Sequence, residues 1–177
     1  LNLDDPAGLT VEVVEGEADE VLIELAEQRQ ARLLVVSSLG KRAPGRWLLG
    51  SVAERVAETS PVPTLVVRDE APFKAWVSGE RPLKVFVGVD FGASSDAALR
   101  WIAELRQMGP VEVAAGYVNW PPEEAARLGL TGPLGVVGNP PMVQSVLERD
   151  LREKVTKVLG GDKVSVMVRG NWGRADY

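Results

Sequence analysis

The sequence predicts an α/β protein with a parallel sheet wound by helices, and three observations predict it. Short runs of branched apolar residues, LLVV at 33–36, TLVV at 64–67 and VFVGV at 85–89, suit strands buried on both faces. Between such runs lie stretches with apolar residues at helical spacing. Glycine and proline punctuate the boundaries, as at Ser60-Pro61-Val62-Pro63 and Gly160-Gly161. Strands alternating with helices imply parallel neighbours joined by right-handed crossovers.

Each element follows in order. Leu9–Val14 (LTVEVV) alternates and reads as a strand ended by Gly16. The stretch 18–30 places Val21, Leu22, Leu25 and Ala26 on one helical face. After the strand at 33–36 comes a Gly/Pro/Arg loop, then a helix over 51–58 and a strand at 64–67. Residues 69–82, with Pro72, Gly79 and Pro82, have no clear period and read as a linker. The same grammar then restarts. A strand at 85–89 leads to a helix capped by Ser94 or Ser95 and running to about Met108. Val111–Val118 is a strand, and 119–141 is a proline-rich loop with a short turn at 123–128. A charged helix at 142–159 precedes a last strand at 164–168.

Composition removes several classes of function. The 177 residues include no Cys and no His, so thiol chemistry, disulfides and the commonest general base are absent. Any catalysis falls to Asp, Glu, Lys, Ser or a bound Mg²⁺. Net charge is −5, with acidic and basic residues mixed, so no basic stripe exists for nucleic acid or an anionic membrane surface. No apolar run approaches the length of a membrane span, and the acidic start LNLDD does not resemble a secretory signal. A cytoplasmic location is expected. The missing initiator Met is expected of a fragment or a processed product.

The strongest chemical signal is the loop SSLGKRAPGRWLLGS at 37–51. Glycines allow positive φ and close approach of backbone to a ligand. Gly50-Ser51 opens a helix, where unpaired amides and the helix dipole favour an anion. A strand, a glycine-bearing loop and a helix start together suit a phosphate. The string is not a P-loop, and an ordinary turn with a helix cap has the same appearance.

The stretch SSLGKRAPGRWLLGSVAERVAETSPVPTLVVR closely resembles the C-terminal signature of universal stress proteins. ATP-binding members of that family carry Gly-x2-Gly-x9-Gly-Ser/Thr here. This chain has Ser37 at the first glycine, then Gly40 and Gly50-Ser51 at the matching spacing, followed by Val52. The resemblance implies that Ser37, Gly40, Gly50, Ser51 and Val52 lie along the phosphates. A serine at 37 either restricts the approach of the ribose through its Cβ or adds a hydroxyl contact.

The second half resembles the opposite end of the same family. LKVFVGVDFGASSDAALRWIAEL resembles its first strand, acidic turn and first helix. By that resemblance Asp90 lies by the nucleoside and the Val118 backbone meets adenine. An Asp after a strand also commonly caps a helix or fixes a turn. The resemblance further implies a five-stranded, doubly wound, flavodoxin- or Rossmann-like sheet of order 3-2-1-4-5.

The chain thus reads as the back half of one repeat (1–68), a linker (69–82) and the front half of the next (83–177). A weak internal echo agrees, since Ala18-Asp19 and Ala175-Asp176 lie 157 positions apart. The linker reaches at most about 46 Å at roughly 3.3 Å per residue, so one permuted sheet within a chain is feasible. The same sheet assembled between two chains, or a larger tandem protein, fits equally.

The expected function is an ATP- or nucleotide-binding regulatory module of the stress response, with Mg²⁺ as an optional companion and at most slow hydrolysis. The alternative is a nucleotide-free dimerisation module pairing through the strand at 64–68. A homodimer or intertwined assembly is the expected partner state. Lys41, Arg42 and Arg46 are expected in a solvated loop, and Trp47, Trp101, Trp120 and Trp172 in packing. Glu104, Glu112, Glu123 and Glu124 suggest surface.

Overall fold

The computed structural model describes residues 10–38, 50–130 and 138–171. Its elements are α1 (Ala18–Gln28), β1 (Leu34–Ser37), α2 (Ser51–Thr59), β2 (Thr64–Val67), α3 (Ala71–Val77), β3 (Leu83–Gly88), α4 (Ala93–Met108), β4 (Val111–Asn119), α5 (Pro121–Arg127), α6 (Pro141–Leu159) and β5 (Val164–Gly170). The chain divides into two compact units, Leu1–Glu70 and Ala71–Tyr177.

The protein is α/β with parallel strands throughout, as the alternation of elements requires. Its strands form two sheets, β1-β2 and β3-β4-β5, where a single five-stranded sheet was expected. Each set of strands closes its ladder within its own unit, and no described ladder joins the two sets.

In the first unit, β1 and β2 pair in register from Leu34 opposite Thr64 to Ser37 opposite Val67. Bonds at the strand ends extend the pairing, Leu34 donating to the Pro63 carbonyl and Ser38 to that of Val67, each at 2.9 Å. Helix α2 lies on β2 and α1 packs on α2, burying Ala26, Ala53 and Val56. Asp19 of α1 is buried and held by Arg55 of α2 at 3.2 Å. The strand expected at 9–14 does not form. Leu9 lies outside the described residues, and 10–14 belong to no ladder. Val11 and Val13 are 78% and 96% exposed. An alternating segment becomes a strand only where a neighbour accepts its amides, and β1 and β2 pair only with each other.

In the second unit the three strands run parallel, with β4 in the centre. One face of this sheet carries Val87, Val113, Ala115 and Val168. Against it pack α4, through Leu99 and Ile102, and α6, through Val143, Leu147, Leu151 and Val155. Leu99, Leu147 and Leu151 are fully enclosed, and burying each contributes roughly 1.5–3 kcal/mol. The opposite face presents Lys84, Phe86, Met167 and Arg169 as exposed side chains.

The stretch read as a linker contains helix α3, because Phe73 and Trp76 give it an apolar side that joins the second unit's core. Ser94 and Ser95 do not cap α4. Its N-cap is Gly92, with no side-chain capping bond. Glu124 is not a surface group either. It is only 9% exposed, because α5 aims it at Tyr117 and Arg127. Trp101 is half-buried against the core and Trp120 is exposed, while Trp47 and Trp172 lie outside the described residues.

Candidate functional site

The residues singled out from sequence fall in two places. In the first unit, Ser37 ends β1 and is exposed. Gly50 is the N-cap of α2, with φ −67° and ψ 143°, and makes no side-chain capping bond. Its amide donates to the Ser38 carbonyl at 2.8 Å, which ties the start of the helix to the carboxyl end of the strand. Ser51 and Val52 follow in the first turn. Amides in a helix's first turn lack helical acceptors, and this helix start has no side-chain acceptor from its cap. The arrangement suits an anion at the end of a parallel strand. Gly40, Lys41, Arg42 and Arg46 lie outside the described residues.

In the second unit, Asp90 and Val118 line one open cleft of about 470 Å³. It sits at the carboxyl ends of β3, β4 and β5, the edge where open parallel sheets take ligands. Its other walls include Phe86, Ser94, Ser95, Tyr117, Met167 and Arg169.

Asp90 is placed by a tight local turn. Its Oδ1 accepts the Gly92 amide at 2.8 Å, and the Ser95 hydroxyl donates to the Gly92 carbonyl at 3.0 Å. The intervening Phe91 has φ 61°, a left-handed conformation unusual for an aromatic residue. Its ring meets Tyr117 edge-on at 5.0 Å and lies 5.7 Å from the Lys154 ammonium, contacts that fix this backbone. The Asp90 carboxyl sits below its usual range, first because of Ser95 and then because of the Gly92 amide. It is therefore ionised at neutral pH. Asp90 thus fixes the turn and also faces the cleft.

Behind the cleft, the Tyr117 hydroxyl donates to Glu124 at 2.9 Å, and Arg127 donates to the other Glu124 oxygen at 2.6 Å. Burial, reinforced by Glu124, pushes the Tyr117 phenol up to about 12, so it remains a neutral donor. The strand ends are pinned as well. Asn119 and Asn139 exchange side-chain hydrogen bonds at 2.8 and 2.9 Å, and Gln144 of α6 donates to the Val168 carbonyl at 3.1 Å. This hydrogen-bonded frame holds the edge on which Val118 and Arg169 sit.

Ser94, Tyr117, Met167 and Arg169 were not singled out for a ligand in the sequence. Ser94 appeared there only as a helix cap. Arg169 sat at the end of a short valine-rich strand, and only its register opposite Val118 brings it to the cleft. No cluster of three or more potential metal ligands occurs among the described residues. No described helix is long and apolar enough to cross a membrane.

Comparison with known proteins gives three findings. Residues 4–68 match the model of the Universal stress protein family. A stretch of 57 residues is 44% identical to Universal stress protein MJ0531 of Methanocaldococcus jannaschii, covering 32% of this chain and 34% of that protein. The fold is similar to the crystal structure of a universal stress protein from Archaeoglobus fulgidus. That likeness has a TM-score of 0.53 and 20% identity, over 93% of this chain and 53% of the other. The chain therefore spans about a third of the curated relative and about half of the solved one.

Proposed function

Taking as premise that this chain belongs, through residues 4–68, to the universal stress protein family, we propose that it is a nucleotide-binding regulatory module of the stress response. ATP is the nucleotide the family suggests. The observation that carries this reading is the cleft itself. Asp90 and Val118, picked out separately along the sequence, line the same cavity at the carboxyl edge of a parallel sheet.

The chemistry of the groups fits such a ligand. An ionised carboxylate is an acceptor only, matched to the hydroxyls of a ribose. Phe86, Val118 and Met167 offer apolar surface to a planar base. Taken by itself, the first unit offers the amides of Ser51 and Val52, at the start of α2, to an anion. Mg²⁺ binds through a few carboxylates plus substrate phosphates more often than through an all-protein cage. A nucleotide's own phosphates would therefore carry it here.

The test is mass spectrometry of nucleotide released from freshly purified, denatured protein. A nucleotide near one per chain supports the reading. Its absence, together with no thermal shift on adding ATP, overturns it. Ser37→Gly, which restores the glycine of the family signature, is expected to raise ATP affinity.

A second reading is favoured by one observation. Among the described residues the sheet of the first unit has two strands, with β2 at its edge, and open edges recruit further strands. Under that reading the protein is a dimerisation module without nucleotide. Concentration-dependent sedimentation with no bound nucleotide distinguishes it.

A further inference from the structure

We propose that Phe91 is a positioning residue of the second unit's cleft, whose strained backbone keeps the Asp90 carboxylate in place for a ligand, an inference that rests on the nucleotide reading above. The turn Asp90-Phe91-Gly92 is built against its own stability. Phe91 takes the left-handed conformation, with φ 61°, which glycine adopts without penalty and a residue with a Cβ does not. Its neighbour Gly92 has φ −86°, which any residue tolerates. The glycine serves the carboxylate instead. A Cβ at 92 would stand 3.1 Å from Asp90 Oδ1 and 3.3 Å from Oδ2, so its absence lets the Gly92 amide close on Oδ1 at 2.8 Å.

Backbone strain persists only where the surroundings over-determine it, and it gathers at ligand sites. Two contacts from separate elements hold the Phe91 ring. Tyr117 of β4 meets it edge-on at 5.0 Å, and the Lys154 ammonium of α6 lies 5.7 Å from its centre. Both partners are themselves fixed, Tyr117 by its bond to Glu124 and Lys154 by its ion pair with Asp96.

Phe91 does not line the cleft, whereas its neighbour Asp90 and its contact Tyr117 both do. The ring therefore acts on a ligand through Asp90, by tying the turn to β4 and α6. A turn without that tie divides its time among conformers. Affinity then falls by the fraction in which Asp90 stands correctly.

The test is a double-mutant cycle, read by titrating a fluorescent ATP analogue into the full chain. Phe91→Gly keeps the left-handed turn accessible and removes the ring, so affinity is expected to fall on the order of tenfold in a folded chain. Phe91→Tyr keeps both ring contacts and is expected to bind several-fold more tightly than Phe91→Gly. Asp90→Asn retains an oxygen for the Gly92 amide but loses the charge, and is expected to weaken binding too. In that background Phe91→Gly is expected to cost about twofold or less, because the group it positions is already gone. Should Phe91→Gly fail to fold by circular dichroism, Phe91→Asn, which also tolerates the left-handed region, takes its place in the cycle. Additive losses, or a Phe91→Gly affinity equal to wild type or to Phe91→Tyr, would overturn the inference while leaving nucleotide binding intact. An Asp90→Asn variant that binds like wild type overturns it as well. If folded wild type binds no ATP analogue, the nucleotide reading itself falls.

Discussion

The amide of Gly50 donates a 2.8 Å hydrogen bond to the carbonyl of Ser38, and Ser38 in turn donates to the carbonyl of Val67. These two bonds set the start of α2 beside the carboxyl ends of both strands in the first unit. The amides offered to an anion are thereby anchored to the sheet rather than to a loop alone.

Gly50→Asp separates stability from binding. Gly50 has an extended backbone that any residue adopts, and Asp is a preferred N-cap. Folding stability is therefore expected to stay level or rise by a few tenths of a kcal/mol. The added carboxylate occupies the helix start and repels phosphate, so affinity for ATP is expected to fall. Thermal melts beside a nucleotide titration check both effects. Undiminished affinity would show that no phosphate lies at this helix.

Trp76 anchors α3 to the second unit. It is 8% exposed, and its Nε1 is buried without a hydrogen-bond partner among the described residues. Truncation to Ala is expected to cost about 3–5 kcal/mol. Trp76→Phe removes the stranded donor, which offsets part of the lost volume, so its cost is expected to stay within about 1–2 kcal/mol. Urea unfolding of the two variants measures the difference.

Gly170 ends β5 where the chain passes close to Asn139. A Cβ at this position would come within 2.9 Å of the Asn139 backbone nitrogen and 2.8 Å of its side-chain oxygen. Gly170→Ala is therefore expected to destabilise by about 1–3 kcal/mol. It should also loosen the Asn119–Asn139 pair at the edge of the cleft. A denaturation midpoint equal to wild type would mean that this edge yields freely.

Tyr117 couples the cleft to alkaline pH. Its phenol is pushed up to about 12 in the folded protein, against an ordinary value of about 10. The raised value favours the protonated form of the folded state. That contribution is complete below pH 10 and is lost as pH rises from 10 through about 12. Burial is the main cause and Glu124 the next, so Glu124→Gln is expected to lower the phenol's titration point without restoring it fully. Ultraviolet difference absorbance during an alkaline titration reads this shift.

Much of the fold was legible in the sequence. The runs expected as strands at 33–36, 64–67 and 85–89 overlap β1, β2 and β3, because branched apolar residues at this density suit a parallel strand. The helices expected over 51–58 and from Ser94 or Ser95 to about Met108 formed as Ser51–Thr59 and Ala93–Met108. The segment 10–14 failed because a strand depends on a partner, which alternation along one segment cannot supply. Helix α3 was missed because Pro72 and Gly79 punctuate it, while Trp76 acquires its meaning only from the core it enters. Glu124 was misplaced for a similar reason, since its burial depends on Tyr117 and Arg127.

The sequence by itself determined the α/β class, the parallel strands, the glycine-bearing helix start at Gly50 and the acidic turn at Asp90. These follow from local periodicity, glycine and charge, which act over a few residues. Only the tertiary structure decided that the strands divide into two ladders. It also decided that Asp90 and Val118 share a cleft, and that Arg169 faces that cleft from β5. Those facts depend on hydrogen-bond register and packing between segments far apart in the chain, which no local pattern encodes.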